Sequence, residues 1–180
     1  VTFKKIFINL NKNIMQLNEA LIAELQQEAI ATRKMLALVP EKSNSWKPHE
    51  KSMTLGRLSQ HLAEIPMWVS ASVDQDELDF AKETYVPNEG GSNEELLKTF
   101  DDNLANAIEC LKNASDEKLM GNWTMKNGDK VYFTMPKIAV VRGFVLNHSI
   151  HHRGQLQVYL RMLDLPLPSV YGPTADEPDM

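Results

Sequence analysis

Apolar residues recur at helical spacing in four stretches of this chain. The first runs from about Met15 to Val39, with Leu17, Leu21, Leu25, Met35 and Leu36 in step, and Pro40 ends it. The second starts near Thr54, a predicted N-cap, and carries Leu55, Leu58, Leu62, Ile65 and Val69 close to a heptad seam. Pro66 lies inside that stretch and leaves the Leu62 carbonyl without its usual donor, which predicts a kink about one turn after His61. Ser92-Asn93-Glu94-Glu95 has the form of a capping box and opens a third helix whose apolar face is Leu96, Phe100, Leu104, Ala107 and Leu111. Pro136, placed in the first turn, opens the fourth, which runs to about Asp164. Its seam reads Val141, Val145, His148, His152, Gln155 or Leu156, and Tyr159.

The intervening segments are polar or turn-rich. Glu41 to Lys51 is a polar linker that contains Trp46, Pro48 and His49, and Asp74 to Gly91 is a long acidic connection with room for a crossover. Trp123-Thr124-Met125 and Val131-Tyr132-Phe133 flank Asn127-Gly128, the pattern of a β-hairpin. From Leu165 onward the tail is proline-rich and should be extended. The expectation is an all-α fold: a four-helix bundle with a long crossover between helices two and three and a short β-hairpin before the last helix. Residues 15–180 read as a single domain, and 1–14 as an N-terminal extension.

Composition narrows the function classes. At 180 residues and 43% hydrophobic, the chain can fill one core. Acidic residues outnumber basic ones, 24 to 19, and no basic stripe is present, which argues against nucleic-acid binding. A single cysteine, Cys110, excludes an internal disulfide and fits a reducing, cytoplasmic setting. No apolar run reaches the ~18–20 residues of a membrane helix. Val1 to Asn13 has three lysines and only short apolar stretches, and reads as neither a secretory signal nor an anchor.

The candidate chemistry lies in the histidines. His148 and His152 are four residues apart, about 40° around a helix, on a seam where a bundle usually places Leu or Val. Buried imidazoles need partners for their nitrogens, so the pair is either a hydrogen-bonded core pair or two ligands of one cation. His61, on another helix with apolar neighbours, is either structural or the third ligand of an open metal site. Glu64, one turn on, reads first as a solvated charge, then as a supporting acceptor or a fourth ligand. Extending the seam from Val141 and Val145 selects His148 and His152 and leaves His151 at the rim or surface. His49 is expected in a loop.

Trp68 and Tyr159 each follow a candidate histidine by seven residues and read first as core aromatics, then as substrate contacts. Gln155 could bond a ligand or anchor a histidine, and Cys110 reads as a small buried apolar residue. No Ser-His-Asp spacing, glycine-rich phosphate loop or paired-cysteine motif appears.

Three motifs resemble the DinB-like proteins (the DinB/YfiT-like superfamily) over roughly Met15 to Glu177. They are Trp46 through Gly56 followed by His61 and Trp68; Asn147 through Leu156; and Pro168 through Glu177. The resemblance implies a four-helix bundle, often a homodimer, with a divalent metal on His61, His148 and His152. Zinc or nickel are the first expectations and iron is another. Relatives include metal-dependent thiol S-transferases that use a low-molecular-weight thiol and others proposed as hydrolases. The implied function is therefore a metalloenzyme acting on a small-molecule substrate; the alternative is a non-catalytic metal-binding stress-response protein. Arg57 and Arg153 are candidates for pairing with a thiol cofactor, beside ordinary surface readings. Neither nucleic acid nor membrane is expected as a partner.

Overall fold

The computed structural model describes residues 15–179, and helices make up most of them. Helix α1 is Leu17–Ala37 and α2 is Leu55–Glu64; a 3-10 turn at Ile65–Met67 joins α2 to α3, Trp68–Val73. Helix α4 is Asn93–Lys112 and α5 is Asp116–Met120. Helix α6, Lys137–Val140, continues through a π-helical segment, Val141–Asn147, into α7, His148–Met162. Strands β1 (Glu77–Asp79), β2 (Asn122–Asn127) and β3 (Lys130–Pro136) form one small sheet in that order. The expected N-terminal extension, 1–14, lies outside the described residues.

Local chemistry sets the helix boundaries. Thr54 Oγ1 accepts from the Arg57 amide at 3.1 Å and caps α2. Ser92 and Glu95 form the capping box of α4, each side chain accepting from the other's backbone N–H. Pro66 breaks the regular ladder as expected, and the break takes the form of the 3-10 turn. Helix α1 packs on α4, α2 packs on both α4 and α7, and α1 also touches α7. Leu21, Leu36, Leu62, Phe100, Leu111, Val145 and Leu156 are buried where these helices meet.

The sheet departs from the expected lone hairpin. Strand β2 pairs antiparallel with β3, and β1 adds a parallel partner, with Leu78 opposite Met125. β1 is only three residues long and carries one apolar side chain, so it has no alternation to reveal it. Its place is fixed by polar contacts: Asp79 accepts from the Gly128 amide at 2.8 Å and the Ala81 amide at 3.1 Å, and Lys126 pairs with Glu77 at 2.7 Å. The hairpin turn is Gly128-Asp129, one residue later than Asn127-Gly128, with Gly128 at φ 58°, where a side chain is disfavoured. Pro136 sits at the N-cap of α6, just outside the first turn.

The acidic connection is tied to α2 at Gly56. A Cβ there would lie 2.2 Å from the Glu89 carbonyl oxygen, so backbone meets backbone. Gly56→Ala should therefore push the 86–91 strip off α2 and cost about 1–3 kcal/mol. Thermal unfolding checks this; an unchanged midpoint would show that the strip yields freely.

Candidate metal centre

The π-helical segment decides how the histidines face. Val141 and Val145 are buried, as the seam requires. Beyond the π turn the buried positions become Ser149, His152, Arg153, Leu156 and Leu160. A π turn holds more residues than an α turn, so it shifts the phase of everything after it. His152 therefore turns inward at 7% exposure, His148 lies half-buried at its edge, and His151 is exposed. His61 projects from the last turn of α2 and is also half-buried.

The three rings converge. His152 Nε2 lies 2.7 Å from His148 Nε2, and His61 Nε2 lies 3.4 Å from His148 Nε2. One ligand atom from each falls within 4.8 Å of the other two, so the group could hold a metal ion. Two nitrogens bound tetrahedrally at zinc distances are about 3.3 Å apart, close to the His61–His148 spacing; the His148–His152 spacing is shorter and would have to open to admit an ion. Among the described residues no further His, Cys, Asp or Glu joins this group.

Hydrogen bonds behind the rings suit ligation. Gln155 Oε1 lies 2.7 Å from His152 Nδ1. That contact fixes Nδ1 as the protonated nitrogen and leaves the Nε2 lone pair facing the other rings. Gln155 thus anchors a histidine, the second of its two expected readings. Arg57 Nη2 approaches His61 Nδ1 at 3.4 Å, but its two hydrogens are taken by the Tyr85 hydroxyl at 2.6 Å and Glu64 Oε2 at 3.0 Å. His61 Nδ1 is therefore not obliged to accept, and its Nε2 is not obliged to carry the proton.

Burial keeps the rings neutral. Desolvation first, then the neighbouring His152, His148 and Arg57, pushes His61 down from 6.5 to about 4. Burial also lowers His148, against an opposing backbone contact from Phe144, and lowers His152, against the opposing bond to Gln155. Neutral imidazole is the ligating form. Between pH 6.5 and about 4 the unfolded chain takes up a proton at His61 that the folded chain refuses, so stability falls as pH falls through that window. For metal affinity the expected result is a shallow loss between pH 7 and 6, checked by zinc titration at both values. A steep loss across that range would mean the rings titrate normally.

A cleft of about 570 Å³ opens beside His61, walled by Arg57, Glu64, Met67, Trp68, Leu78 and Phe80 among others. A shallower depression of about 310 Å³, lined by Phe144, Asn147, His148 and His151, lies along the last helix. Trp68 lines the main cleft while stacking on Phe144 at 6.0 Å, so it is packed and accessible at once. Tyr159 instead packs edge-on against Trp46, and its hydroxyl donates to the Met53 carbonyl. His49 is an exposed loop residue.

Several polar residues differ from their sequence readings. Glu64 is no solvated charge: its side chain is 15% exposed, pairs with Arg57 and accepts from the Tyr85 hydroxyl at 2.9 Å. Arg57 is mostly buried beside His61 and also donates to the Asn88 carbonyl at 3.0 Å. Tyr85 and Asn88 belong to the acidic connection, which contributes a wall of the cleft as well as a crossover. Nothing in its composition signals that role, because the contacts depend on where α2 places Arg57. Arg153 is not a surface residue but is buried at 2% exposure against α1.

Cys110 is half-buried and donates to Asp74 Oδ2 at 3.3 Å, so it is not the purely apolar residue expected. Burial first, then the Asp74 carboxylate, pushes its thiol up to about 12. Alkylation at pH 8 should run roughly 30–60-fold slower than for an unperturbed thiol, because the thiolate fraction falls steeply while a more basic thiolate is the better nucleophile. A stopped iodoacetamide time course checks this; ordinary reactivity would show that the thiol ionises freely.

The DinB family model matches residues 11–180. YrdA of Bacillus subtilis strain 168 is 27% identical over 154 residues, covering 83% of this chain and 85% of that protein. A DinB-like protein from Bacillus cereus superposes with a TM-score of 0.67 at 23% identity, covering 88% of this chain and all of the other. The DinB-like protein YjoA from Bacillus subtilis gives 0.65 at 17% identity, over 84% of this chain and 96% of the other. These structural likenesses establish the fold. No helix of the described residues is long and apolar enough to cross a membrane.

Proposed function

The chain belongs to the DinB family, and from that premise we propose that it is a metal-dependent enzyme with a divalent ion on His61, His148 and His152. The observation that carries the reading is the convergence of three neutral imidazole nitrogens with no fourth protein ligand among the described residues. A closed structural site normally has four protein ligands, whereas three leave a position for a reactant. This favours turnover over storage or sensing. The helical bodies α1, α2–α3, α4 and α6–α7 are read as the four members of the family's bundle.

When bound there, a divalent ion such as zinc or nickel supplies Lewis acidity that favours the ionised form of water or of a low-molecular-weight thiol. The chain's own residues supply the rest. Gln155 fixes the direction of the His152 lone pair. Arg57 holds Glu64 and Tyr85 at the edge of the site, and Tyr85 stays protonated because burial and Glu64 push its hydroxyl up. Trp68, Leu78 and Phe80 present an apolar wall that keeps water from one side of the reactant. The reaction class is hydrolysis or thiol S-transfer.

Metal analysis of protein purified without a histidine tag tests the site. One ion per chain is expected, and none after saturation with zinc and dialysis would end the proposal. Gln155→Ala should weaken zinc binding by about 10–100-fold with all three ligands present. Competition titration reads this, and an unaltered affinity would show that Gln155 does not orient His152. A homodimer is proposed from the family, with exposed apolar residues such as Ile30, Val158 and Met162 available for contact. Light scattering at micromolar concentration checks it, and a monomer would contradict it.

A further inference from the structure

We propose that the cleft beside His61 binds an uncharged, mainly apolar small molecule with one polar group turned toward the histidines, and disfavours anionic ligands. This deepens the metalloenzyme reading, but binding in the cleft does not itself require the ion. The argument starts from the walls. At about 570 Å³ the space suits a small organic molecule, and apolar side chains dominate its lining. Met67 and Phe80 face it while remaining 44% and 43% exposed, so the cleft leaves large hydrophobic surface in water. Trp68 adds a broad aromatic face held in place by Phe144 and Trp123.

Charge argues in the same direction. Arg57 is the only cation among the lining residues, and Glu64 and Glu83 oppose it. Its charge is already matched by Glu64, and Nη2 spends both hydrogens on Glu64 and the Tyr85 hydroxyl while Nη1 donates to the Asn88 carbonyl. An incoming carboxylate or phosphate would either displace Glu64 from Arg57, where breaking a matched pair is costly, or sit beside the Glu64 charge in a largely desolvated setting and be repelled by it. A neutral ligand meets no such barrier and gains from covering Met67, Trp68 and Phe80. A thiol rich in carboxylates therefore meets no net positive charge in this cleft beyond the histidine site itself. The molecule expected here is an aromatic or aliphatic substrate, with its reacting group at the His61 end.

Two dyes of the same ring skeleton test this: neutral N-phenylnaphthylamine and its sulfonated relative, anilinonaphthalene sulfonate. Fluorescence titration of metal-free protein should give at least about tenfold tighter binding of the neutral dye. Trp68→Ala should weaken that binding by a similar factor, with folding checked by circular dichroism. Met67→Lys, at an exposed position, should shift the preference toward the sulfonated dye. Equal or tighter binding of the sulfonated dye to the unaltered protein would overturn the proposal. So would insensitivity of both dyes to both substitutions, or neutral-dye binding that disappears as the protein dimerises, which would mean a second copy covers the cleft. Zinc titration of the same preparation keeps the two readings apart. Dye selectivity without zinc binding removes only the metal, and zinc binding without selectivity removes only the cleft ligand.

Discussion

His152→Ala is expected to weaken zinc binding by more than about a hundredfold, since it removes a proposed ligand and not merely a supporting contact. His151→Ala should change the affinity little. The two residues are adjacent, and their rings are only 4.9 Å apart, so proximity alone does not distinguish them. Direction does: His152 is buried with its Nε2 toward His148, whereas His151 is exposed. Thermal stability should report the same difference. An ion at a hundred times its dissociation constant adds about 2.7 kcal/mol to a protein that binds it only when folded. That gain should survive in His151→Ala and vanish in His152→Ala. Equal losses in the two variants would mean that the facing surface of α7 is wrongly assigned.

Arg153→Ala should give the largest loss of stability among single changes outside the core. The Arg153 side chain is 3% exposed and donates to Glu28 at 2.7 Å, to the Glu28 carbonyl, to Thr32 and to the Tyr171 hydroxyl. Tyr171 in turn donates to Glu28 at 2.6 Å, so one network joins α7, α1 and the C-terminal tail. Removing the arginine leaves Glu28, 14% exposed, without its counter-charge. Breaking such a pair costs about 3 kcal/mol, the low end of the buried range because Glu28 keeps some water. For a chain of this size the melting temperature should fall by roughly 6–12 °C. Arg153→Met combined with Glu28→Leu should recover much of the loss, because neither charge is then stranded. A midpoint for Arg153→Ala within a degree of the unaltered protein would show that the network contributes nothing net.

The helices were legible because their signals are local. Capping by Thr54 and by Ser92 with Glu95, the break at Pro66 and the apolar face of α4 depend on residues within a turn or two of each other. The hairpin was legible from its two apolar arms, although its turn lies one residue further on. Strand β1 was not, since three residues with one leucine carry no period and its partners are 47 residues away in the register Glu77–Thr124. The same distance effect hid the cleft. The placement of Tyr85 and Asn88 against Arg57 is a tertiary event, and it turned a nominal surface arginine and a nominal solvated glutamate into a buried pair. At the histidines, periodicity placed His148 and His152 on one seam, and the structure brings His61 to them. The finer division between a buried His152 and a half-buried His148 required the π turn, which the spacing of Val141 and Val145 does not disclose.

The claim that three histidines form a metal centre is tested most directly by anomalous diffraction at the zinc edge from crystals of untagged, zinc-loaded protein. The expected result is one strong peak at about 2.0–2.2 Å from Nε2 of His61, His148 and His152 together. No peak among the three rings in a zinc-saturated crystal, or a peak held by other residues with these rings turned away, would contradict it.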